Sequence, residues 1–223
     1  MYNTQEVIEL LNVNILSVGP IGANCYIISN SSKDCIVFDP GEEGERIINT
    51  IRKNQLNPKA IFLTHAHFDH IGAVDELRDA FQIPVYIHEN EADWLEDPSK
   101  NGSAKYRELP SYRMKPASDE HIIRMEQSFD ISGIKFNAVF TPGHSPGSIS
   151  YIFEDDGFAI VGDTLFHGSI GRTDLIGGSM EVLLHSIHEK LLVLPEDTII
   201  YPGHGSHTTP AFEMEMNPFL HGF

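Results

Sequence analysis

The stretch Thr64-His65-Ala66-His67-Phe68-Asp69-His70 sets three imidazoles and a carboxylate within six positions, 65–70. Neutral His nitrogens and an Asp oxygen are donors suited to Zn²⁺ or Fe²⁺. So dense a polar set is costly to keep in a fold unless something cationic holds it. His65 and His67, two apart on an extended segment, project the same way and can grip one ion. Asp69 and His70 are adjacent, lie where the chain bends and point elsewhere, which suits a second ion nearby.

Three later stretches repeat this logic. Thr141-Pro142-Gly143-His144 puts a His just past an apolar run, Gly162-Asp163-Thr164 an Asp just past another, and Pro202-Gly203-His204-Gly205 a His just past the last. Each candidate stands at a strand end beside Gly, where backbones can crowd and a side chain can project. Groups carried on loops at the edge of a rigid sheet are the usual way to build a site. Four such elements in order are far more specific than any one of them.

The elements that must position them are strands and helices in alternation. Strands are expected over 13–18, 25–29 and 35–39, then a helix over 45–54 with Ile47, Ile48 and Ile51 at helical spacing. Asn57-Pro58 should end that helix before a strand over 60–63, and a helix over 72–81 should come after the His-rich loop. A short strand over 85–88 precedes a helical turn or two over 89–95. Further strands are expected over 128–131, 134–140, 148–153, 158–161 and 198–201. Helices are expected over 180–192, with Val182, Leu183, Ile187 and Leu191 on its apolar side, and over 210–216. Sheets covered by helices are the architecture this order implies, and with no dividing linker residues 1–223 read as one α/β domain.

The formal net charge is −17. This argues against a nucleic-acid or anionic-membrane surface, which needs clustered Lys and Arg. No run approaches the roughly 18 apolar residues of a membrane span. The N-terminus lacks a basic region leading into an apolar core, so a cytoplasmic protein is expected. Cys25 and Cys35, in neighbouring expected strands, are expected to be reduced core residues.

In sequence order, His65-Ala66-His67-Phe68-Asp69-His70, His144, Asp163 and His204 resemble the metal signature of the metallo-β-lactamase superfamily. The resemblance implies a four-layer αβ/βα sandwich with metals at one edge between the sheets. It implies His65, His67 and His144 for one ion, Asp69, His70 and His204 for the other, and Asp163 bridging both. The expected cofactor is thus two divalent metal ions, Zn ahead of Fe or Mn. Activated hydroxide would attack a polarised carbonyl, with Asp69 and Asp163 the catalytic carboxylates. Thr64 and Asp174 are candidates to orient imidazoles from behind, with a turn hydrogen bond or a surface salt bridge as the other reading of each.

Gly168-Ser169-Ile170-Gly171-Arg172-Thr173-Asp174 and the ending Asn217-Pro218-Phe219-Leu220 resemble the glyoxalase II-like branch, the hydroxyacylglutathione hydrolases and their shorter bacterial relatives. That branch implies a small-molecule thioester substrate, an S-2-hydroxyacyl thiol, with Arg172 near its carboxylate; an Arg172–Asp174 pair fixing the loop is the other reading of this residue. The longer glyoxalase II enzymes continue into a helical domain that helps to grip glutathione. Here nineteen residues come after His204, so that domain is not expected. The region 96–118 is long and irregular, with Lys100, Lys105, Arg107, Arg113 and Lys115 against Asp97 and Glu108 after its first residue, Glu96. It is a candidate frame for a small anionic thiol conjugate, or else a solvated surface loop. A mononuclear iron persulfide dioxygenase, using His65, His144 and Asp163, is the alternative that the resemblance allows. A lactonase or β-lactamase ranks third.

Overall fold

The computed structural model describes residues 10–106 and 111–221. Its first sheet holds six strands in sequential order: β1 (Asn12–Val18), β2 (Ala23–Ser29), β3 (Asp34–Phe38), β4 (Asn57–Phe62), β5 (Val85–His88) and β6 (Ile122–Ile123). β1, β2 and β3 pair antiparallel; from β3 onward the pairing is parallel. Parallel neighbours need crossovers, and helices supply the first two. They are α1 (Gly44–Lys53) between β3 and β4, then α2 (Phe68–Ile71) and α3 (Val74–Phe81) between β4 and β5.

The second sheet is built from β7 (Gln127–Ile131), β8 (Ile134–Phe140), β9 (Ile149–Phe153), β10 (Phe158–Gly162) and β13 (Ile199–Pro202). Its order is β13-β10-β9-β8-β7, with only β10 and β13 parallel. A two-stranded hairpin, β11 (Leu165–Phe166) and β12 (Ser169–Ile170), stands apart. α4 (Met180–Ser186) continues into a π-helical turn at Ile187–Leu191, and α5 (Pro210–Met216) closes the described chain.

Side-chain alternation sorts the core into layers. On β2 and β3, Cys25, Ile27, Cys35 and Val37 face α1 and α3, packing on Ile47, Ile51, Val74 and Leu77. Their neighbours Tyr26, Ile28, Ile36 and Phe38 face the second sheet and meet Phe136, Tyr151 and Phe153. Beyond it, Ile152, Ala159 and Val161 pack on Leu183, Leu184 and Ile187. The result is the expected helix–sheet–sheet–helix sandwich. Strands buried on both faces explain why β2, β3 and β10 read as nearly continuous apolar runs.

The structure departs from expectation in three places. Asn57 and Pro58 open β4 rather than closing a helix. The helix expected over 72–81 is preceded by a separate turn, α2, which carries Asp69 and His70. Val182 is exposed while Leu184 is buried, because the face of α4 that meets the sheet is turned away from Val182. Cys25 and Cys35, on the paired strands β2 and β3, are both free and buried as expected, Cys35 opposite Ser29 and Cys25 opposite Leu16. Among the described residues no helix is long and apolar enough to cross a membrane.

Candidate metal centre

β4 delivers the chain through Leu63 and Thr64 to His65 and His67, both buried. Asp39, just past β3, anchors this loop from behind. Its carboxylate accepts the Thr64 amide at 2.7 Å and the Thr64 hydroxyl at 2.6 Å. A carboxylate only accepts, so the hydroxyl donates to it. The 3.0 Å contact between Thr64 Oγ1 and His65 Nδ1 is then a bond donated by the ring. That leaves the lone pair of His65 on Nε2. His70 is held likewise, with Nδ1 donating to Asp39 Oδ2 at 3.0 Å. His144, past β8, donates from Nδ1 to the Arg172 carbonyl at 2.8 Å. Three imidazoles are thus oriented from behind with Nε2 turned inward.

Two groups of donors converge. The ligand atoms of His65, His67 and His144 lie within 4.8 Å of one another, and so do those of Asp69, His70 and His204. Asp163, at the end of β10, stands between them. Its Oδ2 is 3.6 Å from His144 Nε2 and 3.6 Å from His204 Nε2, and its Oδ1 is 3.4 Å from His70 Nε2. His204 Nε2 lies 3.2 Å from Asp69 Oδ2. A third group, Asp39 with His65 and His70, shares the neighbourhood. Asp39 is occupied by Thr64 and His70 Nδ1, which makes it a support behind the rings.

The donor set fits a divalent cation. His65 Nε2, His70 Nε2 and Asp163 Oδ1 are buried with no hydrogen-bond partner, a state that costs free energy unless something completes it. Burial, then neighbouring imidazoles, holds His65 well below the ordinary His range and His67 down to about 3. At His70 burial opposes protonation, but the Asp69 and Asp163 carboxylates overcome it and raise the imidazole well above its usual value. His204 is raised in the same way, against burial, by Asp69 and Asp163. Burial works against the charge on Asp163 and Asp69 as well, yet His70 pulls both below the carboxylate range, Asp163 strongly.

Close backbone packing makes this possible. A Cβ on Gly203 would sit 2.0 Å from Asp163 Oδ1, and one on Gly41 1.8 Å from the Asp69 carbonyl. Only glycine lets the ends of β10 and β13 meet, and the end of β3 approach α2, this closely. Glu91, fully buried on a 3-10 turn after β5, accepts the Ala66 amide at 2.6 Å and the Gly147 amide at 2.7 Å. It ties the His65–His67 loop to the loop just after His144. Asn24 and Tyr26 on β2 bind the Pro202 carbonyl at 3.1 and 2.5 Å, locking the His204 loop to the first sheet. None of Asp39, Glu91, Asn24 and Tyr26 was singled out by sequence reasoning. Asp39 alone offered a signal, being a strand-end Asp before Pro40-Gly41.

All seven expected ligand candidates are therefore brought together, and of the two readings of Thr64 its contact with His65 Nδ1 favours the orienting one. Asp174 touches no imidazole. It receives Arg172 Nε and Nη2 at 2.7 Å each, while the Arg172 main-chain oxygen does the orienting. A cleft of about 200 Å³ opens over His67, Asp69, His144, Asp163 and His204, walled by Ile21, Phe68, Tyr106, Leu175 and Ile176, with Lys100, Lys105 and Arg172 beside them. The basic region contributes less than its charge suggested. Lys100 pairs with Asp93, Lys115 with Asp79 at 2.6 Å, and Arg113 donates to the Glu96 carbonyl at 2.8 Å. These cations fasten the loop to its own scaffold. Arg107 and Glu108 lie outside the described residues.

The model of the metallo-β-lactamase superfamily matches residues 18–204. The chain belongs to this superfamily. The "Probable metallo-hydrolase YqgX" of Bacillus subtilis is 52% identical over 208 residues, covering 93% of this chain and 97% of the relative. The "Hydroxyacylglutathione hydrolase GloC" of Haemophilus influenzae is 38% identical over 210 residues, covering 94% and 98%. The crystal structure of the B3 metallo-β-lactamase BLEG-1 superposes with a TM-score of 0.91 at 49% identity, covering 95% of this chain and all of that one.

Proposed function

We propose that the protein is a binuclear metal-dependent hydrolase that cleaves a thioester, in the manner of the hydroxyacylglutathione hydrolases. The observation that carries this reading is the place of Asp163, one carboxylate within 3.4–3.6 Å of imidazoles from both donor groups. His65, His67 and His144 would hold one ion, Asp69, His70 and His204 the other, and Asp163 both. When bound, such a pair lowers the pKa of a shared water and polarises the substrate carbonyl.

The chain's own residues do the rest. Asp39 and the Arg172 carbonyl keep His70 and His144 in the tautomer that presents Nε2 inward. Asp69, part-exposed where the cleft opens, would accept a hydrogen bond from the attacking water and orient it. Phe68 and Leu175 present apolar surface to one side of the cleft. The thiolate leaves as the product acid forms, and because a thiolate is a good leaving group the site needs no strong general acid. The likeness to GloC supports the thioester.

The likeness to BLEG-1 favours a second reading, opening of a β-lactam amide at the same site. Metal content per chain, measured on protein purified without added metal, together with S-lactoylglutathione turnover under nitrogen, tests the first. Two metals per chain and oxygen-independent thiol release are expected. One iron, no hydrolysis and oxygen uptake with glutathione persulfide would overturn it in favour of a dioxygenase. Nitrocefin turnover exceeding that of every thioester would favour the second reading.

A further inference from the structure

The cationic side chains of the cleft are unequal. Lys100 is neutralised by Asp93, and Arg172 is held two-pronged by Asp174. A guanidinium already paired with a carboxylate offers little net charge to a third group. Lys105, beside them, makes no ion pair within 4.0 Å among the described residues. Its charge is felt at Asp174. Lys105, Arg172 and Asp174 together therefore sum to one positive charge at the rim, above the Asp69 and Asp163 carboxylates of the floor, in a chain whose net charge is −17.

The remaining wall is apolar and open. Ile21 is 50% exposed, Tyr106 48% and Ile176 46%, and the Phe68 ring lies 5.3 Å from that of Tyr106. Large apolar side chains gathered around one concavity are the usual mark of a surface that takes an apolar ligand group. A hydrophilic peptide thiol alone would leave this wall in water. We infer that the cleft selects thioesters bearing a bulky apolar arm, aromatic or branched aliphatic, plus one anionic group, with Ile21, Tyr106 and Ile176 covering the arm and Lys105 holding the anion. This rests on the thioester reading above and names the substrate class within it.

Two measurements test it. Calorimetric binding of the non-hydrolysable thioethers S-benzylglutathione and S-methylglutathione should favour the benzyl compound by about 10-fold or more, the scale set by burying a phenyl ring. The double variant Ile21→Ser with Ile176→Ser should reduce that preference to below about 3-fold. Lys105→Ala should weaken both thioethers by similar factors and flatten the dependence of binding on salt. Equal binding of the two by the wild-type protein, or a preference untouched by the double variant, would overturn the inference. The second measurement compares kcat/KM for S-mandeloylglutathione and S-lactoylglutathione, with about 10-fold in favour of the mandeloyl ester expected. Equal values overturn the inference and leave the hydrolase standing. Hydrolysis of neither by metal-loaded protein overturns the thioester reading and the substrate class with it.

Discussion

Glu91 Oε1 accepts the amide of Gly147 at 2.7 Å across 56 positions of chain. Its other oxygen accepts Ala66 at 2.6 Å, so one buried carboxylate spans the two loops that carry His65, His67 and His144. Burial raises its pKa, opposed by these hydrogen bonds. Glu91→Gln keeps the shape but turns an NH₂ toward one of the two amides, leaving a buried donor unpaired. The expected cost is about 1–3 kcal/mol, or a fall in Tm of about 2–12 °C for a chain of this size. Thermal unfolding of the metal-free protein measures it; an unchanged Tm would show that the loops hold themselves.

The sequence made the inward-facing ligands visible but hid what holds them. His and Asp at strand ends beside Gly are legible because spacing and residue type both mark them. Glu91 sits in Glu89-Asn90-Glu91-Ala92-Asp93, which reads as a solvated run, and only tertiary packing buries it. Tyr26 sits in a buried strand as any core aromatic would, and its hydroxyl bond to Pro202 joins residues 176 positions apart. The four-residue α2 and the two-residue strands β6, β11 and β12 are too short for any period to show. The layers were legible because fully buried strands and amphipathic helices alternate. The charge of the basic loop was legible and its target was not, since no pattern in the sequence marks Asp79 or Asp93 as the partner of Lys115 or Lys100.

Asp39 presents one carboxylate to Thr64 and to His70 Nδ1. Asp39→Asn would offer His70 an NH₂ in place of an acceptor, which favours the tautomer with its proton on Nε2, the nitrogen that must stay open. Metal affinity at the Asp69–His70–His204 group should drop about 10–100-fold, with a smaller loss at His65, His67 and His144. Competition against a graded series of chelators reads the two affinities separately. Equal losses at both groups would mean that Asp39 acts on the whole loop instead.

Arg172 contributes to the centre through its backbone. The carbonyl that receives His144 Nδ1 survives in Arg172→Ala, while the exposed side-chain pair with Asp174 is lost. Exposed ion pairs contribute little to stability. Metal content and Tm should therefore match wild type, and KM for an anionic thioester should rise less than in Lys105→Ala. A larger KM effect at Arg172 would make its guanidinium the substrate contact.

The two donor groups should release their metals at different pH. Burial keeps His65 and His67 neutral, His67 down to about 3, so protons compete weakly there near neutrality. His70 and His204 are raised above the ordinary His value by Asp69 and Asp163, against the effect of burial. A metal binding beside them must displace a proton from any ring below its raised pKa, so affinity at that group rises with pH through and above the usual His range near 6.5. As pH is lowered from about 8 to 5, the ion held by Asp69, His70 and His204 should leave first, with the other retained further into acid. Metal content after dialysis at each pH would show two steps, and His204→Ala should abolish the higher one. A single step in the wild-type protein, releasing both ions together, would mean that Asp163 couples the two groups more tightly than their separate proton affinities divide them.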